Sequence, residues 1–238
     1  MDARPGPLTA VDLIRSPWLI GFGLVALAQL IFVVVPVPTP VDLIAVTILA
    51  PLLAVWVWRR NGPRLLVLAL LLCAVGDLLG NPRRIGLDRD ALLFSVAAFA
   101  AAQACLLVVY VRSGAVEALR ASVRGRQRWR SVVALLYLIV AAVVFGLMWG
   151  GLAPTFRVAA GSYLALLVGT AITSLAVDTW AGIGAAVFAG SVLLVGAGTV
   201  GWVEGADSWH RLQVRLAYPL GLLLITVATV TRVRRGIP

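Results

Sequence analysis

The chain has no lysine, one histidine and two cysteines in 238 residues. Each scarcity excludes something. With all basic side chains arginine, the missing lysine is read as genomic base composition rather than chemistry. His210 stands alone in Asp207-Ser208-Trp209-His210-Arg211, a stretch read as loop, and a metal site needs more ligands than one. Cys73 and Cys105 both lie inside apolar stretches, so they offer neither a disulfide framework nor metal-ligand spacing. We expect no metal and no cofactor. The GxSxG, HExxH and P-loop motifs are absent too. Charged residues make up only 13% of the chain, which excludes an ordinary soluble domain.

What is present is apolar. The chain is 61% hydrophobic, with a mean hydropathy of +1.01, which places it among polytopic membrane proteins. Eight apolar runs can be read, at 17–35, 41–58, 65–79, 91–111, 131–149, 156–177, 180–203 and 214–233. Most reach the ~17–25 residues that a spanning helix needs. Backbone polar groups must be satisfied inside each span, so the runs are predicted to be helices. Pro36-Val37-Pro38-Thr39-Pro40, Arg59-Arg60-Asn61-Gly62-Pro63-Arg64 and Asn81-Pro82-Arg83-Arg84 break the first runs apart. No soluble domain fits between spans. The expectation is an all-α, polytopic transmembrane bundle of eight helices, a single integral membrane domain over 1–238. No cleavable signal is expected, because the first run is long enough to remain as a span.

Arginine gives the orientation. Fourteen arginines fall on the side of the N-terminus and six on the other, so the positive-inside rule predicts that both termini are cytoplasmic. The net charge of +10 lies in loops and speaks to topology and anionic headgroups, not to nucleic acid. Arg120, Arg124 and Arg128 oppose Val116, Leu119 and Val123, a pattern that fits a short basic helix on the inner leaflet or a solvated connector. Trp18, Trp56, Trp58, Trp149, Trp180, Trp202 and Trp209 lie near span ends, as in an aromatic belt. An integral protein of a bacterial cytoplasmic membrane is expected, with its oligomeric state open.

Asp77 is the most informative residue. It sits in Leu71-Leu72-Cys73-Ala74-Val75-Gly76-Asp77-Leu78-Leu79, where a lipid-facing carboxylate would be costly. It should therefore face an interior, for function or as an ion pair with Arg83, Arg84 or Arg215. Other polar groups fall on helical stripes. The fourth run places Ser95, Phe99, Gln103, Leu106 and Tyr110 on one face. The sixth places Tyr163, Thr170, Ser174 and Asp178 on one face. Gly182, Ala186 and Gly190 give the seventh a small-residue face with Ser191 beside it, and the eighth carries Tyr218-Pro219. Helices around a shared interior would gather these groups. For any single hydroxyl, ordinary interhelical hydrogen bonding is the better reading. Asp42 and Asp178, at span ends, read as interfacial caps.

These features resemble the YhhN-type lysoplasmalogenase family of integral membrane proteins. The resemblance rests on Ala74-Val75-Gly76-Asp77-Leu78-Leu79 and on Gly184-Ala185-Ala186-Val187-Phe188-Ala189-Gly190-Ser191, with Tyr163 and Tyr218 at positions where tyrosines recur. It covers the second to eighth runs. Three departures stand out. Val192 follows Ser191 where the family carries aspartate, Gln103 stands in place of a histidine, and Ala50-Pro51 in place of Lys-Pro.

The resemblance implies hydrolysis of the vinyl-ether bond of a lysoplasmalogen to a fatty aldehyde and a glycerophospho-headgroup. Vinyl ethers hydrolyse by protonation at carbon, then attack of water on the oxocarbenium ion. That calls for an acid, a place for the cation and a base. Burial disfavours the charged form of a carboxyl, which suits Asp77 to be the acid. The base has no obvious second carboxylate; Gln103, Ser191, Tyr163 and Tyr218 could orient water, and Asp178 is a spare. The expected site is therefore Asp77 as catalytic residue, with Gln103, Tyr163, Ser191, Tyr218 and Ser95 lining the cavity. The expected partners are the bilayer and a membrane lipid or lysophospholipid. A lipid-binding or transport-like protein on the same bundle is the alternative, since one buried carboxylate can also serve as a proton-coupled switch.

Overall fold

The computed structural model describes residues 12, 13, 15–80, 90–125, 128–202 and 207–234. Among them the regular structure is all helical: α1 Pro17–Val34, α2 Thr39–Arg59, α3 Arg64–Leu79, α4 Asp90–Arg112, α5 Ala115–Arg124, α6 Arg128–Met148, α7 Pro154–Val177, α8 Thr179–Thr199 and α9 Ser208–Arg234. Seven are long and apolar enough to cross a membrane; α3 and α5 are not among them. Proline stands in the first turn of α1, α2 and α7, where its missing N–H would have had no helical partner anyway. Between α2 and α3 the chain reverses at Asn61, whose φ of 53° is left-handed, a conformation asparagine tolerates better than most residues.

The helices close into a ring. Going round it, α1 packs on α2, α2 on α3, α3 on α4, α4 on α7, α7 on α8, α8 on α9, and α9 back on α1 and α2. Helix α6 stays outside and leans on α7. It buries only Ala141 and Met148, as a helix facing lipid on most sides would. The amphipathic α5 packs against α6 and α7, turning Ala115 and Ser122 inward and Arg120 outward. Helix α3, at 16 residues, is about 24 Å long at 1.5 Å per residue, short of the ~30 Å hydrocarbon layer. It lies between α2 and α4 and buries seven residues, Asp77 among them.

The two ends of the ring are held differently. At one end α7 stops at Val177 and Asp178 caps α8 at once, its Oδ1 accepting from the N–H groups of Trp180 at 2.8 Å and Ala181 at 3.0 Å. The abrupt turn leaves the last α7 carbonyls without helical donors. Arginines supply them: Arg130 Nη1 donates to Ala176 O at 2.7 Å and Arg232 Nη1 to Val177 O at 2.6 Å. Cations at a helix C-terminus also oppose its dipole. At the other end Arg215 reaches Asp42, described below.

Helices α8 and α9 meet backbone to backbone. A Cβ on Gly184 would lie 2.7 Å from Ile225 N, and one on Gly221 would lie 2.7 Å from Phe188 N. This contact replaces the small face expected on α8: Gly190 has nothing within 4 Å of its Cβ position, and Gly182 instead packs on Leu175 in the α7–α8 turn. Gly221→Ala is therefore expected to lower stability by about 1–3 kcal/mol, the scale of overpacking. Gly190→Ala should leave it unchanged. Thermal unfolding in detergent compares the two, and equal melting temperatures would contradict the contact.

Two expectations need correction. Trp56 is not part of an interfacial belt: it is 1% exposed, because its position on α2 faces the core with Leu49, Leu53 and Val57. Trp58, Trp149, Trp180, Trp202 and Trp209 are exposed. His210 is not in a loop; it lies in the first turn of α9 and is buried, since that helix starts six residues before the apolar run at Val214.

Candidate functional site

Asp77 lies in the last turn of α3 and is 8% exposed. It points across the ring to α9, where Tyr218 donates its hydroxyl to Asp77 Oδ2 at 2.5 Å. A hydroxyl that donates to a carboxyl oxygen at this distance makes a short hydrogen bond, and the bond strengthens when the carboxyl becomes ionised. It joins two residues separated by 141 positions. Tyr218 is itself steered by Phe188 of α8, with ring centroids 5.6 Å apart. The Gly184–Gly221 approach brings that phenylalanine close enough to touch.

On the other flank α4 presses on α3. A Cβ on Gly76 would lie 2.7 Å from the ring of Phe99, so only glycine admits that ring beside Asp77. Ser95 Oγ donates to Gly76 O at 2.7 Å, which ties α4 to the turn that carries the carboxylate. Phe99 in turn meets Tyr163 of α7, with ring centroids 6.3 Å apart. Tyr163 is 8% exposed and lies within electrostatic range of Asp77, Tyr218 and Cys73. The site is thus a carboxylate and two phenols on α3, α9 and α7, walled by Phe99 and Phe188.

The remaining sequence-expected residues enter less directly. Ser191 is buried, but its hydroxyl is committed to its own helix, donating to Phe188 O at 2.7 Å. Gln103 is 1% exposed, and its backbone carbonyl accepts from Thr170 Oγ1 at 3.2 Å. Thr170 also donates to Leu166 O at 2.9 Å. Thr173 and Ser174 likewise bond carbonyls one turn back in α7. Such back-bonding satisfies a buried hydroxyl without any partner helix. These stripes are therefore mostly structural, whereas Asp77 and Tyr218 bond each other across the ring. Asp178 is the α8 cap at the far end, away from Asp77. Arg83 and Arg84, considered as ion-pair partners, lie outside the described residues.

Arg215, the third arginine considered for Asp77, pairs with Asp42. Its Nη1 lies 2.8 Å from Asp42 Oδ1 and its Nη2 donates to Oδ2 at 2.8 Å. Nη1 also donates to Gln29 O at 3.2 Å, and Gln29 Nε2 donates to Ala45 O at 2.7 Å. Asp42 is accordingly more than an interfacial cap: the pair locks α1, α2 and α9. Sequence reasoning missed Gln29, although a lone amide inside an apolar run was a usable signal. Arg215 precedes Tyr218 by three residues on α9, so the two share a face.

Two surface hollows lie at the opposite end. One of about 300 Å³ is lined by residues at the start of α3 and the end of α4, the other of about 270 Å³ by Asp178, Trp180 and the last turns of α9. Neither includes Asp77. Among the described residues no group of three His, Cys, Asp or Glu could hold a metal ion.

The model of the YhhN family matches residues 41–229 of the chain, a span that runs from the start of α2 to the last turns of α9 and takes in every residue of this site. No curated protein and no solved structure matches.

Proposed function

Because the chain belongs to the YhhN family, we propose that it is a lysoplasmalogenase-like membrane hydrolase that cleaves the vinyl-ether bond of a lysoplasmalogen. The observation that carries the reading is the hydrogen bond from Tyr218 to a buried Asp77 inside a ring of apolar helices. A lone alkenyl chain is at home among such helices, and the reaction needs a proton donor there.

The arrangement supports a route that needs one carboxyl. Asp77, protonated, gives its proton to the alkenyl carbon remote from oxygen, leaving an oxocarbenium ion and the Asp77 carboxylate. Tyr218 steadies that carboxylate through the bond at Oδ2, since a donor favours the charged form. Water adds to the cation and returns a proton to Asp77. The resulting hemiacetal collapses to aldehyde and the freed glycerol hydroxyl. In this scheme one group serves as acid and then as base, so the missing aspartate at Val192 leaves no step without a proton carrier. Gln103, Ser191 and Ser95 hold the walls in place. No cofactor takes part.

The test is aldehyde release from a lysoplasmalogen by the purified protein in detergent or vesicles. Aldehyde forming with turnover supports the reading; none, with the lipid still bound, would make this a lipid-binding member of its family.

The reading includes a topology. We place α3 as an eighth, short crossing beside the seven long helices, in one domain of a bacterial cytoplasmic membrane with both termini cytoplasmic. The arginine-rich end that holds Arg60, Arg130, Arg232 and Arg234 is then the inner face. Single cysteines placed at positions 3 and 237, in a chain with Cys73 and Cys105 replaced by alanine, should both resist a membrane-impermeant thiol reagent in intact cells. Labelling of one terminus alone would refute the topology.

A further inference from the structure

Most buried hydroxyls of this bundle have protein partners. Tyr110 shares a hydrogen bond with Thr229 at 3.1 Å, Tyr218 bonds Asp77, and Thr170, Thr173, Ser174 and Ser191 bond carbonyls of their own helices. The Tyr163 hydroxyl is an exception: it is buried and has no hydrogen-bond partner. A phenol in the middle of a helix ring has no water surface to turn to, and buried polar groups are nearly always satisfied by something. Its surroundings say what that something is. Tyr163 stands against Phe99, which packs on Gly76, and lies within electrostatic range of Asp77.

We propose that the Tyr163 hydroxyl is a ligand-binding group, which holds one neutral oxygen atom beside Asp77 during the reaction. A phenol can donate to that oxygen or accept from it. Two oxygens fit the chemistry: the attacking water and the ether oxygen of the lipid. The proposal rests on the hydrolase reading for the identity of the ligand, and on the unpartnered hydroxyl for the existence of the site.

The experiment uses the full-length protein in detergent, its Tyr163→Phe variant, and Tyr110→Phe as a control outside the site. Each is melted alone and with a saturated 1-O-alkyl lysophospholipid, which cannot be hydrolysed, and each is assayed for aldehyde release from a lysoplasmalogen. Tyr163→Phe removes a hydroxyl that bonds nothing in the protein, so it should melt at or above the parent temperature without lipid. Tyr110→Phe loses a partner and should melt lower, with KM and kcat unchanged. Aldehyde release by Tyr163→Phe should fall roughly tenfold or more, the scale of one hydrogen bond lost at a reacting atom. A fall in kcat alone identifies the oxygen as water. A rise in KM with weaker protection by the saturated lipid identifies it as the lipid's.

Parent-like turnover and protection in Tyr163→Phe would overturn the proposal while leaving the hydrolase reading intact. A lowered melting temperature without lipid would also overturn it, by revealing a protein partner. If the parent releases no aldehyde but the saturated lipid protects it more than Tyr163→Phe, the hydrolase reading fails and the Tyr163 site stands. No turnover and no protection of the parent would remove both.

Discussion

Asp77→Asn is expected to lower aldehyde release roughly 10²–10⁴-fold, the usual worth of acid–base assistance, with little change in melting temperature. Asparagine keeps the shape of the side chain and an oxygen to accept the Tyr218 hydroxyl, but it carries no proton to give and cannot take one from water. The loss should appear in kcat, because a group that acts in the transition state contributes little to ground-state binding. Tyr218→Phe should produce a smaller loss, on the order of tenfold, since it removes only the donor that steadies the carboxylate. Combined, the two changes should cost no more than Asp77→Asn alone, because the tyrosine is proposed to work through the aspartate. Steady-state kinetics on the three variants checks this. A double variant whose loss equals the product of the single losses would separate the two residues and overturn the single-carboxyl route.

The second large effect is structural. Arg215→Met alone is expected to destabilise the protein by about 3–5 kcal/mol, the scale seen when one partner of a buried ion pair is removed. The pair has two contacts of 2.8 Å, with side chains 17% and 8% exposed, and the remaining aspartate would be left charged in an apolar ring. Asp42→Leu combined with Arg215→Met should recover most of the loss, since matched apolar groups avoid the desolvation that the pair had to overcome. A double-mutant cycle in thermal or denaturant unfolding measures the coupling. Additive losses would show that the two side chains act independently. Aldehyde release by the double variant carries a further reading. Arg215 shares a face of α9 with Tyr218, so a folded double variant that keeps activity would mean that α9 needs only to be anchored, not charged, to present the tyrosine.

How much of this was legible beforehand differs from residue to residue. Each helix needs only local information, a run of apolar residues with proline or asparagine-glycine at its ends, because in lipid the helix is how a single segment satisfies its backbone. The runs around Leu27, Leu53, Leu106 and Leu167 therefore mark their helices without any structure. The same locality exposed Asp77, since one carboxylate among apolar neighbours is conspicuous at any fold. The apolar run places the start of α9 at Val214, whereas the helix begins at Ser208, because its first turn mixes exposed polar residues with the buried His210.

Pairings are another matter. By sequence Arg215 is one of three arginines available to Asp77, yet it pairs with Asp42; Tyr218, one of five expected cavity-lining residues, is hydrogen-bonded to Asp77. Both outcomes depend on which face of α9 meets α2 and α3, and that rotation is set by the glycines at 184 and 221, whose backbones touch only once the ring has closed. Periodicity says that residues share a stripe, not what the stripe faces. By itself, then, the sequence determined an apolar helical membrane protein with one buried carboxylate of interest, because those are properties of single segments in lipid. Only the tertiary structure decided that Tyr218 is bonded to Asp77, that Ser191 is spent on its own helix, and that Tyr163 is left with a hydroxyl to offer, because each follows from how helices far apart in the chain are turned against one another.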